Sequence, residues 1–222
     1  MKLTCEDRRI CWSENRERME LGALSKLREM GTPIMWAEGH PGPLESEGWT
    51  VELGGLIDAP SVLTYDEILE LPKTVVDARL TSVSGFSVGG RWEGVRMRHV
   101  IDLMNPQPTA SHVQFVSYGR TYSTCIPLEV ARRERTLLAY GFEGERLTSD
   151  YGGPVRVFCP YLWGYKSAKS VVAVDLVDRS IPGFWEERGY PDAAEIRPRV
   201  VLDVNSGEYR RIAGGEVIGF VD

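Results

Sequence analysis

The sequence has no long apolar run and no excess of positive charge. No stretch of its 222 residues approaches the roughly 18 consecutive apolar residues that a membrane-spanning helix needs. No apolar segment follows the charged residues near Met1, so an export signal is not expected. The net charge of -6 argues against electrostatic binding of nucleic acid. We therefore expect a cytoplasmic protein with neither a membrane nor a nucleic-acid partner.

Several motifs that carry common chemistries are also absent. The glycines form no G-x-G-x-x-G after a strand and no G-x-x-x-x-G-K-[ST], so dinucleotide and P-loop sites lack their phosphate cradles. H-E-x-x-H does not occur, and His40, His99 and His112 are too widely spaced for a local metal motif. One G-x-S-x-G occurs at residues 85–89, but a nucleophile elbow needs a helix directly after the serine. The following Gly-Gly-Arg-Trp favours an ordinary glycine turn.

The four cysteines are few and scattered. Cys5 and Cys11 have no second pair and no nearby histidine, so a structural zinc site is not expected. In a cytoplasmic protein, these two residues, Cys125 and Cys159 are expected to be reduced thiols.

The residues that are present predict one mixed α+β domain preceded by an arm. Ser13 is a candidate N-cap for an amphipathic helix over residues 13–30, and residues 1–48 are predicted to form an arm. Residues 49–222 form the predicted body. Its short strands, with short helices between them, indicate a mixed sheet rather than regular βαβ winding. Residues 200–212 predict a C-terminal hairpin with its turn at Asn205-Ser206-Gly207.

Local patterns place other elements of this body. Strands are predicted at residues 49–53, 112–118, 154–158 and 170–177, and an extended segment at 80–86 leads to a turn at Gly89-Gly90. A capping box from Thr64 to Glu67 opens a short helix that ends before Pro72. Further short helices are predicted at residues 97–104 and 127–132.

The best candidate anion site in this acidic chain lies in residues 153–170. A strand bearing Arg156 leads into a loop with Lys166, Ser167 and Lys169 and little negative charge nearby. Arginine offers a bidentate fork, lysine a point charge, and serine and loop N–H groups offer hydrogen bonds. The alternative is a basic, solvated turn, which charge alone would favour.

Four segments resemble the sulfite oxidase superfamily in order and spacing. Residues 160–169, PYLWGYKSAK, resemble its P-x-x-x-G-[WF]-K-x-x-K segment. Residues 49–68, residues 84–95 with SGFS and RWEGV, and residues 180–190 with PGFWEERGY resemble three others. The likeness covers about residues 31–192 and is strongest to the small branch related to the methionine-sulfoxide reductase catalytic subunit. It implies a mixed-sheet sulfite-oxidase-type fold that binds molybdopterin with molybdenum or tungsten.

The resemblance also implies roles for particular residues. Arg156 and the run Ser167-Ala168-Lys169 match positions that bind the phosphate of the pterin. Ser117 matches a hydroxyl position beside the cofactor. His40, within WAEGHPGP at residues 36–43, resembles the histidine of an R-N-H-x-P-x-P cofactor segment.

The departures from the family pattern are concentrated at its metal end. Residues 81–87 read TSVSGFS where the family has H-C-V-T-G-W-S, so Ser82 stands at the position of the metal-binding cysteine. Glu38 and Gly39 replace the arginine and asparagine before the histidine, and Tyr151 replaces a small or polar residue. Three outcomes are open for Ser82: it ligates the metal as an alkoxide, cofactor binds through its pterin alone, or no cofactor binds. Cys159 is predicted to face away from Arg156 and not to replace the lost ligand.

Three functions remain in view. The favoured one is a molybdopterin-dependent oxidoreductase acting on an unknown small substrate, with Ser82 as its catalytic and metal-facing residue and an unspecified electron partner. Sulfite itself is disfavoured because the departures lie close to where that chemistry occurs. The alternative is a non-catalytic binding protein on the same scaffold, without a metal cofactor, in which Glu38 or Tyr151 fills the pterin site. Unrelated chemistry on a reused fold is the third, and its candidate residues are Ser87, Asp77, Glu93 and Asp150.

Overall fold

Two β-sheets form the framework of the molecule. The computed structural model describes residues 25–221. The strands are, in chain order, β1 (Thr50–Gly55), β2 (Ser61–Thr64), β3 (Lys73–Thr81), β4 (Phe86–Arg96), β5 (His112–Ser117), β6 (Ser123–Pro127), β7 (Leu137–Phe142), β8 (Glu145–Arg146), β9 (Arg156–Phe158), β10 (Val171–Val177), β11 (Arg199–Asp203) and β12 (Glu208–Ile212). The short α-helices are α1 (Lys26–Glu29), α2 (Tyr65–Glu70), α3 (Met97–Leu103) and α4 (Leu128–Ala131). Single 3-10 turns lie at Ser149–Tyr151, Gly164–Lys166 and Glu186–Arg188.

The first sheet has five strands in the order β2-β1-β10-β5-β6. Strands β1 and β10 pair in parallel, and the other neighbours are antiparallel. The alternation predicted for residues 112–118 is confirmed, because Val113, Phe115 and Ser117 are buried while the residues between them are partly exposed. The capping box is also confirmed: the Glu67 N–H donates to Thr64 Oγ1 at 3.2 Å, and the Thr64 N–H donates to Glu67 Oε2 at 2.8 Å.

The second sheet has seven strands, and one of them, β7, is buried along its whole length and was not predicted. Its main order is β12-β11-β4-β7-β8, with β3 beside β4 and β9 beside β7. The predicted turn at Gly89-Gly90 is wrong, because both glycines lie inside β4 and the turn lies at residues 82–85. A Cβ at Gly90 would lie 2.3 Å from Cζ of Phe142, so glycine there permits close packing of β4 on β7.

Two apolar clusters are buried within this framework. The larger one packs α2, α3 and α4 with strands of both sheets. The smaller one is built around Trp92. Its ring is stacked on Phe158 with the ring centroids 4.4 Å apart, and it contacts Phe142 edge-on with the centroids 4.9 Å apart. Leu27, from the predicted arm, is buried in the smaller cluster. The sequence-derived fold class, mixed α+β with short helices, is confirmed.

The predictions for the two ends of the chain have different outcomes. The C-terminal hairpin is confirmed, since β11 and β12 pair from Arg199 with Ile212 to Asp203 with Glu208. Only the last part of the helix predicted over residues 13–30 lies in the described range, where α1 occupies four residues. The predictions for Ser13, Cys5 and Cys11 lie outside the described residues, and the division at residue 48 stays a prediction. None of the helices in residues 25–221 has the length and apolarity needed to cross a membrane.

Candidate cofactor site

The buried cation of the site is Arg156, at the start of β9. Its guanidinium donates to the carbonyls of Val157 at 3.3 Å, Tyr151 at 2.6 Å and Ser167 at 3.1 Å. Within residues 25–221 it forms no ion pair with a carboxylate. Burial lowers the pKa of Arg156 to about 10. Arginine has five N–H donors, so its terminal nitrogens retain N–H groups for a further acceptor.

Lys169 lies beside Arg156, because the Val157 N–H donates to the Ala168 carbonyl at 2.8 Å. The Lys169 ammonium donates to the carbonyls of Met35 at 2.7 Å and Asp150 at 2.8 Å. Burial holds the pKa of Lys169 well below its usual range and the charge of Arg156 lowers it further, whereas the carboxylates of Asp150 and Glu38 act in the opposite direction. Arg156 and Lys169 are therefore two cations that repel each other in a poorly solvated part of the molecule, called the cation corner below.

Hydrogen-bond donors surround these two cations. The Ser167 hydroxyl accepts from the Cys159 N–H at 3.1 Å, which leaves its own proton free to be donated. In the part of the chain that the structure describes, the N–H groups of Ala168 and Lys169 form no hydrogen bond. Glycine at position 152 leaves room for the Lys169 side chain. The φ of Gly152 is +93°, and a Cβ at this position would lie 2.6 Å from Cγ of Lys169. Cations with unpaired N–H groups suit a phosphate.

Ser117 brings an unpartnered hydroxyl to the same region. It ends β5 opposite Val171 of β10, and the next N–H, of Tyr118, donates to the Ser170 carbonyl at 2.7 Å. The side chain is buried, and its Oγ has no hydrogen-bond partner among residues 25–221. A buried hydroxyl is normally bonded, so this atom fits a site that a polar group completes.

His40 also lies at the cation corner, with both ring nitrogens engaged. Nε2 lies 3.0 Å from Oδ1 of Asp150, and Nδ1 accepts from the Gly42 N–H at 3.0 Å. Arg28 also donates to Asp150, at 2.7 Å. Burial raises the pKa of Asp150, but the hydrogen bond of His40 and the charge of Arg28 outweigh it, so the pKa lies below its ordinary value. These contacts hold Arg28 and His40 beside the two cations.

Ser82 lies in the turn between β3 and β4. Its Oγ is 2.6 Å from Oγ of Ser84 and accepts from the Ser84 N–H at 3.2 Å. A Cβ at Gly164 would lie 3.6 Å from the Cα of Ser82. The segment 160–169 therefore contacts Ser82 near its middle and carries the phosphate-binding candidates at its end. No group of three His, Cys, Asp or Glu side chains within residues 25–221 is arranged to hold a metal.

Lys166 does not belong to the anion site, contrary to the sequence interpretation. Its ammonium pairs with Glu186 at 2.6 Å and Asp192 at 3.1 Å and donates to the Cys125 carbonyl at 2.7 Å. These partners satisfy the charge completely, since lysine has three donors. Lys166 instead joins the segment 160–169 to residues 186–192.

Tyr151 and Glu38, considered as blocking residues, and Cys159, considered as a replacement ligand, lie in different environments. Tyr151 packs in the smaller apolar cluster, where its hydroxyl donates to the Thr32 carbonyl at 2.9 Å. Glu38 is partly buried; burial raises its pKa, while a hydrogen bond from its own backbone and the charge of Lys169 lower it. The Cys159 thiol is buried 3.9 Å from Thr136 Oγ1, and burial raises its pKa to about 11.

Three of the four residues considered for unrelated chemistry are engaged in other contacts. Ser87 is fully buried; its Oγ accepts from Arg79 Nε at 3.0 Å and lies 2.9 Å from Thr81 Oγ1. Glu93 is paired with Lys73 on the sheet surface. Asp150 is bound by Arg28 and His40.

Several residues that shape the site were not predicted from the sequence. Trp36 places its ring 4.8 Å from the Lys169 ammonium, a cation–π distance. Gly152 and the Met35 carbonyl were also missed. The adjacent glycines at residues 152 and 153 were a usable signal of close backbone approach, whereas a carbonyl acceptor leaves no signal in sequence.

Comparisons with known proteins identify the family of this chain. The family model for the oxidoreductase molybdopterin binding domain matches residues 38–185. The methionine-sulfoxide reductase catalytic subunit MsrP of Ralstonia nicotianae is 29% identical over 181 residues, which cover 75% of this chain and 55% of that protein. The oxidoreductase YuiH of Bacillus subtilis, named as uncharacterized, is 31% identical over 143 residues, covering 64% and 72%. This chain spans about half the length of the MsrP relatives.

A solved structure supports the fold. The sulfane dehydrogenase SoxCD from Paracoccus pantotrophus superposes with a TM-score of 0.60 at 17% identity, covering 78% of this chain and 46% of that one. The resemblance drawn from the sequence motifs is thereby confirmed at the level of family and fold. The chain belongs to the oxidoreductase molybdopterin binding domain family, within the sulfite oxidase superfamily.

Proposed function

We propose that this chain binds a molybdopterin cofactor and acts as an oxidoreductase on a small molecule. The observation that carries the proposal is the pair Arg156 and Lys169, which lie side by side without a carboxylate bound to Arg156 in the described residues. Two neighbouring cations in a poorly solvated corner are unfavourable unless an anion joins them. A phosphate supplies that charge and accepts several hydrogen bonds at once.

Named residues would hold the cofactor. Arg156, Lys169, the Ser167 hydroxyl and the N–H groups of Ala168 and Lys169 would bind its phosphate. Ser117 would contact the pterin through its unpartnered hydroxyl. His40 would contribute by position, because Asp150 and the Gly42 N–H already hold its ring nitrogens.

Ser82 would face the metal end. A bound molybdenum or tungsten centre supplies two-electron chemistry in which an oxygen atom or a hydroxyl is exchanged with the substrate. A serine hydroxyl must lose its proton to ligate a metal and is a harder ligand than a thiolate. The Ser84 hydroxyl, 2.6 Å from Ser82 Oγ, is placed to hydrogen-bond an alkoxide there. Ligation by Ser82 and binding through the pterin alone are both compatible with this arrangement.

A binding protein without a metal cofactor is the second candidate, and one observation favours it. Lys169 already donates to the Met35 and Asp150 carbonyls, and the partly buried Glu38 carboxylate lies near enough to influence its charge. Protein groups that already bind the Lys169 ammonium compete with a phosphate for it. Tyr151 gives this candidate no support, because its side chain is committed to the apolar cluster.

The deciding experiment is the molybdenum, tungsten and pterin content of the protein purified from a host that makes and inserts molybdopterin. We expect near-stoichiometric pterin, measured as the oxidised, fluorescent derivative, and its loss in Arg156→Gln. Arg132→Gln is the matched control, because Arg132 pairs with Asp102 at the surface. Pterin-free parent protein from a host with verified insertion machinery would replace the first candidate by the second.

A further inference from the structure

Residues 191–197 lie against the segment 160–169 through a set of specific contacts. The Trp163 N–H donates to the Ala194 carbonyl at 2.8 Å, and the Tyr165 hydroxyl donates to the Pro191 carbonyl at 2.5 Å. Leu162 and Glu195 form an isolated β-bridge. The two segments therefore pack together as one unit, although residues 191–197 lie beyond the stretch matched by the family model.

A cavity of about 130 Å³ lies between these segments and the turn that carries Ser82. Its lining residues are Val83, Trp163, Tyr165, Pro191, Ala193, Ala194, Glu195 and Arg197. Val83 directly follows Ser82, and Gly164, between Trp163 and Tyr165, packs on the Cα of Ser82. The cavity thus adjoins the proposed metal end of the site. Its volume is close to that of an apolar cavity known to bind benzene, about 150 Å³.

Most residues of the lining are apolar, and two charged residues lie at one side. Glu195 and Arg197 are the charged residues of the lining and are exposed. Within residues 25–221, neither side chain forms an ion pair or hydrogen bond. Arg199 stands next to them, donating to the Val83 carbonyl at 2.8 Å with its guanidinium 5.7 Å from the Trp163 ring. Arg197 and Arg199 thus outnumber Glu195 at this position, while Asp192 of the same segment is paired with Lys166.

We propose that this cavity is the substrate pocket and that it accepts a small carboxylate with a flat apolar body, about the size of benzoate. The apolar body packs between Trp163 and Pro191, and the carboxylate pairs with Arg197 through its bidentate fork. Glu195, on the same side, repels the carboxylate and so restricts its orientation to pairing with Arg197. The word substrate rests on the proposed function; the binding of a carboxylate in this cavity does not.

Direct binding to the full chain tests the proposal. Benzoate, benzyl alcohol and benzylamine share a ring and differ in charge, so their dissociation constants, from calorimetry or ligand-observed NMR, separate packing from charge. We expect benzoate to bind at least about tenfold more tightly than benzyl alcohol, the usual order for a charge-assisted hydrogen bond. Benzylamine should bind more weakly than either.

Matched variants locate the binding. Arg197→Gln should weaken benzoate about tenfold and leave benzyl alcohol unchanged. Glu195→Gln should tighten benzoate. Arg179→Gln, which removes a charge that is 80% exposed outside the cavity, should change neither. All three positions are exposed, and thermal unfolding of each variant verifies that it is folded.

The outcomes separate this proposal from the proposed function. Equal affinity for benzoate and benzyl alcohol, an unchanged benzoate affinity in Arg197→Gln, or no binding by the parent chain would each overturn the carboxylate pocket. Pterin content is measured on the same preparations and decides the cofactor proposal by itself. Benzoate binding that depends on Arg197 in pterin-free protein would establish the pocket while removing the oxidoreductase assignment.

Discussion

The ammonium of Lys166 lies 2.6 Å from the carboxylate of Glu186, and the two side chains are only 1% and 4% exposed. This ion pair joins the segment 160–169 to the segment 180–190, two of the stretches that carry the family resemblance. Thr124 also donates to Glu186, at 3.1 Å, so strand β6 is tied to the same carboxylate. A lysine that a motif suggests for ligand binding is here a structural bridge.

Replacing Lys166 by Met should therefore destabilise the fold. The change leaves the buried Glu186 carboxylate without its main partner, and breaking a buried pair costs about 3–5 kcal/mol. The double variant Lys166→Met with Glu186→Gln should recover part of this loss. Urea denaturation measures both. As a control, Lys73→Met removes a pair whose lysine is 55% exposed and should cost no more than about 1 kcal/mol. A loss equally small for Lys166→Met would contradict the bridge.

Ser117 should show opposite effects on stability and on cofactor content. Its buried Oγ has no partner in the described residues, so Ser117→Ala removes an unsatisfied polar atom and should leave the free energy of unfolding of the cofactor-free chain equal or higher. Pterin content from a competent host should fall, because the hydroxyl then no longer completes the site.

Thr136 provides the comparison for Ser117. Its hydroxyl is buried and donates to the Val130 carbonyl at 2.9 Å, so Thr136→Val should cost about 1–2 kcal/mol. Pterin content should be unchanged in any Thr136→Val protein that folds. A Ser117→Ala variant that is destabilised as much as Thr136→Val would mean that the Ser117 hydroxyl has a structural role.

Substitutions at Ser82 should change the ratio of metal to pterin rather than pterin alone. Ser82→Cys introduces a soft thiolate and should raise metal retention, whereas Ser82→Ala should lower it if the serine ligates the metal. Pterin content should stay the same in both, since the phosphate-binding residues are untouched. Ser84→Ala tests the hydroxyl 2.6 Å away. Parallel losses of pterin and metal in Ser82→Ala would instead place Ser82 among the pterin contacts.

The attachment of the arm should weaken in acid. The pKa of Asp150 is lowered in the folded protein: burial raises it, but the hydrogen bond of His40 and the charge of Arg28 outweigh burial. A lowered folded pKa means that the stabilisation is present above the unfolded pKa of about 3.9 and is lost as the pH falls through the folded value. Hydrogen exchange of residues 25–40 at decreasing pH should report this release.

Two variants check the assignment to Asp150. Asp150→Asn should remove the pH-dependent release and leave the arm less protected at neutral pH. Asp178→Asn, at a carboxylate that is 59% exposed beside Arg179, should behave as the parent chain does. A release in Asp150→Asn at the same pH as in the parent would assign the titration to another group.

Local sequence patterns predicted the elements whose signals are local. The capping box at Thr64, the alternation of β5 and the hairpin β11–β12 were all confirmed. Strand β7 was missed because all six of its residues are buried, and a strand covered on both faces shows no alternation. Gly89 and Gly90 were assigned to a turn because glycine permits turns, whereas the packing of Phe142 against β4 explains glycine at position 90.

The sequence by itself determined the acidic charge, the order of the family segments, the serine at position 82 and the cations available for an anion site. Tertiary structure alone decided which of those cations are paired with carboxylates of the protein itself. Lys166 and Lys169 are three residues apart and chemically identical, yet one meets Glu186 and Asp192 while the other meets the carbonyl of Met35, 134 residues away. The physical reason is that the state of a buried charge depends on the groups that the fold brings within a few ångströms, and distant parts of the chain supply those groups.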